Sequence, residues 1–316
     1  MLLNLNAKIR YSDFRTQIMS VEEILSYCIK KGFNRNNSLY RNISVKQKSR
    51  VIETIFLNMP QMPVFIDDSD DSWTIIEGAE KVDALFSFCC ANMRLSSLYF
   101  LTNKYEGKSF KNFSMFEKAK LLSTRITVFA INPGLSGQER FGVYMSLKKR
   151  TDSATVNWCR SRIFGKQYNE IKHLAQSISE KNRYKKTETL ETRICNMLVG
   201  IYYEEFGEIQ EKHHIDIAAN SILEQKNIND FIIKNQDRME TAIRLTDMAN
   251  INRKYHSVYD SIFYHFAVTP ENDVFRKRID NAIDLYKITP TEYAEDFCKN
   301  LKMIINYIKY DNSVDA

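Results

Sequence analysis

The sequence predicts an α+β first half, a small mixed sheet with helices, followed by an all-helical second half. Three observations carry that expectation. Seven of the nine glycines lie between Gly32 and Gly165, so tight turns and strand connections belong to the first half. Between Lys48 and Phe88 the apolar spacing passes from helical to strand-like and back to helical. Beyond residue 165 apolar residues recur at helical spacing: Leu190, Ile194, Met197, Leu198 and Ile201, then Val274, Phe275, Ile279 and Ile283, then Tyr293, Phe297, Leu301, Ile304 and Ile305. Pro270 and Pro290, beside Thr269 and Thr291, sit where helices would start. These patterns set a boundary near residue 165, with an α+β domain over 1–165 and a helical domain over 166–316.

The elements of the first half follow in order. Ser20, with Glu22 and Glu23 behind it, starts a helix through Lys30 that Gly32 closes. Ser44 caps a second helix with the core face Val51, Ile52, Ile55 and Met59. Pro60 and Pro63 end it and feed the strand Val64-Phe65-Ile66. The run Asp67 to Asp71, with Ser69 inside it, suits a turn because short polar side chains bond the local backbone there. The same acids also read as a metal cluster; a hairpin turn accounts for them without one. A second strand ends at Glu77 and Gly78, and a helix from Ala79 to about Cys90 points Val82, Leu85, Phe86 and Cys89 inward. A short strand Leu98 to Leu101, a ribbon Lys104 to Phe110, a helix Ser114 to Ser123, a strand Ile126 to Ile131 and a helix Ser136 to Leu147 complete this half.

Composition narrows the function classes. With 316 residues and 44% apolar content the chain can bury a full core. It has no apolar run long enough to cross a membrane, and its N-terminus is too polar for a secretory signal. The six cysteines show no CxxC spacing, so they read as reduced, buried thiols of an intracellular protein. A net charge of +6 permits contact with nucleic acid or nucleotides without demanding it. No P-loop, nucleophile elbow or dinucleotide fingerprint is present. His213-His214 has no third ligand at useful spacing, and His256 and His265 flank an aromatic helix.

The order helix, Pro-x-x-Pro, strand, acidic turn, strand, acid-Gly, helix resembles the N-terminal domain of the GmrSD-type restriction endonucleases, of the ParB/sulfiredoxin-like superfamily. Lys48 to Ile55 matches its helix, Met59-Pro60-Gln61-Met62-Pro63 its proline pair, and Tyr99 to Phe110 its middle ribbon. Ile126-Thr127-Val128 and Tyr144 to Leu147 resemble its later strand and helix. The resemblance covers roughly residues 20 to 165. It implies binding and hydrolysis of a nucleoside triphosphate with Mg2+, action on DNA, and a role in defence against foreign DNA.

The departures fall on the chemistry. Where the family reads Asp-Gly-Gln-Gln-Arg, this chain reads Glu77-Gly78-Ala79-Glu80-Lys81. Gly78 keeps close backbone approach to a phosphate at a helix N-terminus. Glu77 keeps the acid on a longer stem, Ala79 loses an amide, Glu80 adds negative charge, and Lys81 keeps a cation without the bidentate fork. The same five residues also read as a tight turn and a solvated helix start. Upstream, Arg35 and Arg41 both fit the family's cation. Downstream, Lys148 stands where the family has an Asn, and the run Lys148, Lys149 and Arg150 suits nucleic-acid phosphates or a solvated helix end.

Two functions therefore stand as expectations. In one, Gly78, Lys81 and Arg35 or Arg41 hold a nucleotide, Glu77 and Glu80 are the candidate catalytic acids, and Lys148, Lys149 and Arg150 meet DNA. In the other, the chain is an inactive binding or scaffold protein whose helical half contacts a protein partner.

Overall fold

The computed structural model describes residues 13–31, 43–69, 73–148, 152–182, 187–206, 215–248, 256–266, 273–286 and 294–311. The fold is mixed α+β, with a small four-stranded mixed sheet in the first half and helices throughout the second. The chain divides into two compact units at Arg150 and Thr151. The sequence had set the boundary near residue 165, and the helix Ser153–Ile163 falls with the second unit.

In the first unit the strands are β1 (Phe14–Ser20), β2 (Val64–Asp67), β3 (Thr74–Glu77) and β4 (Arg125–Ile131), in the order β1-β4-β2-β3. β4 runs antiparallel to β1 and parallel to β2, and β3 returns antiparallel beside β2. Val64, Ile66, Ile75, Ile126 and Val128 enter a core shared with α1 (Val21–Lys31), α2 (Val45–Phe56), α3 (Ala79–Cys89) and α5 (Met115–Ser123). The helix starts rest on local chemistry. Ser20 with Glu23, Ser44 with Gln47, Ser114 with Glu117 and Ser136 with Glu139 each exchange hydrogen bonds between side chain and backbone. These reciprocal bonds satisfy amides that the first turn leaves open.

Four expectations for this unit change. β1 was not read from the sequence: it is an edge strand with only Met19 buried, so it shows no apolar alternation. Met59 is 45% exposed, because α2 stops at Phe56. Asn58 takes a left-handed φ of 51° there, donating to Ile55 O while Met59 N reaches Thr54 O. Leu98 to Leu101 is not a strand, since side-chain carboxylates occupy its amides. Glu106 accepts from Leu98 N, and Glu53 accepts from Tyr99, Phe100 and Leu101 N. Lys104 to Phe110 is likewise not a ribbon. It comprises a short helix α4 (Thr102–Tyr105), a turn at Gly107 and a single bridge between Arg94 and Ser109.

In the second unit α9 (Thr187–Phe206) is the central helix, touching α7 (Ser153–Ile163), α8 (Gly165–Asn182), α10 (Ile215–Leu223), α12 (His256–Phe266) and α14 (Ala294–Asp311). Its Leu190, Ile194, Met197, Leu198 and Ile201 are all buried, as their spacing predicts. A Cβ at Gly200 would stand 2.9 Å from Ser261 Oγ and 3.0 Å from Leu301 Cδ2, so the glycine lets α12 and α14 approach closely. α11 (Ile228–Met248) packs on α8 and α12, and α13 (Asp273–Leu285) on α14. Val274, Phe275 and Tyr293 of the predicted stripes, with Pro270, Pro290 and His213-His214, lie outside the residues whose side chains are described. Cys28, Cys159, Cys195 and Cys298 are buried free thiols, Cys89 is half-buried, and Cys90 is exposed, against the expectation of burial.

Candidate functional site

The mouth of α3 is set by the end of the β2–β3 hairpin. Phe65 pairs with Glu77 but Ile66 pairs with Ile75, so Ile76 is an extra residue in β3. Such a bulge re-aims the strand end. Ile75 and Ile76 are both buried, and Glu77 emerges exposed beside Gly78. Gly78 adopts φ 86°, and a Cβ there would lie 3.2 Å from Val64 Cα and 3.3 Å from Pro63 O. Gly78→Ala is expected to cost about 1–3 kcal/mol through left-handed strain and contact with that backbone. Equilibrium denaturation would measure it, and an unchanged midpoint would remove the constraint. No side chain caps α3, and Lys81 N and Val82 N donate to Gly78 O, so the backbone amides of Ala79 and Glu80 are the ones at the dipole end.

The structure brings Lys148 to this mouth. It is the last residue of α6 (Gly137–Lys148), and its Nζ lies 3.7 Å from Glu77 Oε2. α6 is anchored from below by Asp67. That carboxylate is 2% exposed and accepts from Arg140 Nε at 2.9 Å, Arg140 Nη2 at 2.6 Å and Tyr144 OH at 2.9 Å. Burial alone would raise the Asp67 pKa, but Arg140 and Ser69 hold it below the ordinary value. Asp67, read from the sequence as a turn residue, is thus the buried pin that positions Lys148. The available signal was Arg140 and Tyr144 at i, i+4 spacing, on one helix face.

The other predicted residues are placed differently. Lys81 is buried, and its ammonium donates to Met62 O, which ties α3 to the proline loop. Desolvation pushes its pKa down to about 8. Glu80 is half-buried in the first turn of α3, and Ala79 packs in the core. Arg35, Arg41, Lys149 and Arg150 lie outside the described residues, as do Asp70 and Asp71. Among the described residues no group of three or more His, Cys, Asp or Glu is arranged to hold a metal ion. The groups gathered at the mouth are therefore the first α3 amides and the Lys148–Glu77 ion pair.

Two open clefts lie elsewhere in this unit. One, of about 470 Å³, is lined by Asn58, Pro60, Gln61, Lys120, Thr124 and Arg125 among others. The second, of about 550 Å³, runs along α1 beside Glu22, Ser26, Tyr27 and Lys30. In the second unit several buried polar groups pair with one another. Arg160 donates to Asn220 Oδ1 at 2.9 Å and Asp216 Oδ1 at 2.6 Å, and Tyr168 donates to Glu191 Oε2 at 2.8 Å. No helix of the described residues is long and apolar enough to cross a membrane. No protein-family model matches this chain, and no curated protein or solved structure is detectably similar to it.

Proposed function

We propose that this protein binds a nucleoside triphosphate at the mouth of α3 and acts on or near DNA. The observation that carries this reading is the Lys148 ammonium, 3.7 Å from Glu77, beside an uncapped helix N-terminus. A phosphate there would meet backbone amides, the positive end of the helix dipole and a lysine cation. Glu77 stands where a carboxylate can orient a magnesium ion or a water. The resemblance to the GmrSD-type N-terminal domain supports the same chemistry, with defence against foreign DNA as the implied role. The reading stops at binding, because Ala79 and Glu80 stand where the family's motif for binding and hydrolysis has two Gln amides.

A second reading, an inactive scaffold with the helical unit as its partner surface, draws on two other observations. Lys81 spends its ammonium on Met62 O, and Gly78 is required by the backbone of Pro63 and Val64. Both residues serve the fold whether or not a ligand binds. Isothermal titration with the four nucleoside triphosphates, with and without magnesium, separates the readings. Binding should weaken about tenfold or more in Lys148→Ala, the loss of one charge-assisted contact. An unchanged affinity would take Lys148 out of the site, and no heat with any nucleotide would leave the scaffold.

A further inference from the structure

We propose that the surface formed by residues 94–125 is a binding face for single-stranded nucleic acid. This extends the nucleic-acid part of the reading above, uses none of the residues at the mouth of α3 and needs no triphosphate. The segment carries seven Lys and Arg against two Glu, a net +5 out of the chain's +6. Both acids are turned to internal duties. Glu106 accepts from Ser97 N at 2.7 Å and Leu98 N at 3.1 Å. Glu117 accepts from Ser114 N and from Tyr105 OH, each at 2.9 Å. The cations Lys104, Lys108, Lys111 and Lys120 are exposed.

Large apolar side chains stand among these cations. Tyr99 is 65% exposed, Phe100 74%, Met115 81% and Phe116 79%. The Tyr105–Glu117 hydrogen bond and the Lys104–Glu117 ion pair at 3.5 Å hold the first turn of α5 beside α4, which directly follows Phe100 and Leu101. The two aromatic sites therefore belong to one local surface. The first of them is held from beneath. Glu53 clamps the amides of Tyr99, Phe100 and Leu101, and the Arg50 guanidinium lies 4.1 Å from the Tyr99 ring centroid. A ring fixed before binding, as Tyr99 is, loses little freedom when a ligand stacks on it.

Exposed aromatics within a lysine field match unpaired bases on a phosphate backbone. A duplex hides its base faces, and protein-docking surfaces are depleted in lysine. Lys120 and Arg125 carry the basic run into the cleft of about 470 Å³ beside Asn58 and Pro60, where the strand can continue.

The test uses the full chain without nucleotide or magnesium, with fluorescence anisotropy of a labelled oligo-dT strand of about 15 residues and of a matching duplex, over a range of salt concentrations. The single strand should bind about tenfold or more tighter than the duplex. Phe100→Ala and Phe116→Ala should each weaken it about tenfold with the salt slope unchanged. Lys111→Gln and Lys118→Gln should each lower that slope by about 0.7. Phe100, Lys111 and Phe116 are exposed and Lys118 is half-buried, and thermal melting of each variant should match the parent. Equal affinity for duplex, aromatic variants that bind as the parent does, or binding to phosphatidylserine vesicles but not to the oligonucleotide would each overturn the proposal. Because nucleotide is omitted, failure here leaves the titration at α3 standing, and failure there leaves this surface standing.

Discussion

Glu53→Ala should destabilise the first unit by about 3–5 kcal/mol and release the 96–106 segment to rapid hydrogen exchange. Glu53 lies on the buried face of α2 and is 3% exposed. Its carboxylate accepts from Tyr99 N at 3.0 Å, Phe100 N at 2.7 Å and Leu101 N at 2.8 Å. One turn earlier, Ser49 Oγ accepts from Ser96 N at 2.9 Å, so α2 holds this loop at two successive turns. Alanine leaves three amides without their acceptor beside a buried helix face. Each unsatisfied buried donor costs about 1–3 kcal/mol, and rehydration of the loosened loop returns part of that. Burial by itself would raise the Glu53 pKa, but the three amides, with Arg50, hold it below the ordinary 4.5. A depressed carboxylate stabilises above its unfolded pKa and stops doing so as pH falls through its folded one. Denaturation curves of wild type and Glu53→Gln should therefore converge as pH drops below about 4.5. Curves that stay parallel to low pH would show that the charge is not what the amides hold.

The same loop shows what was legible in the sequence and what was not. Helix starts were readable because their chemistry is local. Ser20, Ser44, Ser114 and Ser136 each meet a Glu or Gln three residues on. β2 and β3 were readable as short β-branched runs between turn residues. The loop 98–101 was not, because three of its amides are satisfied by an acid 46 to 48 residues upstream and the fourth by Glu106. Its apolar run therefore looked like a strand. One signal did exist: Ser49, Ile52, Glu53 and Phe56 share the helix face that points inward. At the candidate site Gly78 was legible as a backbone requirement. Lys81 was not, since a lysine beside a phosphate motif and a lysine tied to a loop carbonyl look alike until the loop is placed.

Arg193→Met is the second large effect, expected at about 3–5 kcal/mol in the helical unit. Arg193 of α9 is 5% exposed and binds Asp260 of α12 bidentately, Nε to Oδ2 at 2.7 Å and Nη2 to Oδ1 at 2.6 Å. Its third nitrogen, Nη1, donates to Asp247 Oδ1 of α11 at 2.8 Å. One cation thus joins three helices, and its removal leaves Asp260, with no solvent exposure, as an unpaired buried charge. Two carboxylates on one guanidinium carry a surplus negative charge. Burial first, and Asp260 second, push the Asp247 pKa up to about 7 from 3.8. For an acid whose folded pKa is raised, the folded chain keeps a proton that the unfolded chain has released. The contribution to stability is then full below about 3.8, falls as pH rises, and is gone above about 7. Asp247→Asn retains an acceptor for Arg193 without the charge. It should remove that decline, so that its stability differs less between pH 5 and pH 8 than that of the wild type. Arg193→Met should show the opposite sign, a deficit that shrinks toward acid pH as Asp247 takes up its proton. Denaturant titrations of the three proteins at pH 5 and pH 8 measure both signs. If Asp247→Asn lowers stability equally at the two pH values, Asp247 serves Arg193 as a charge partner and not as a proton store.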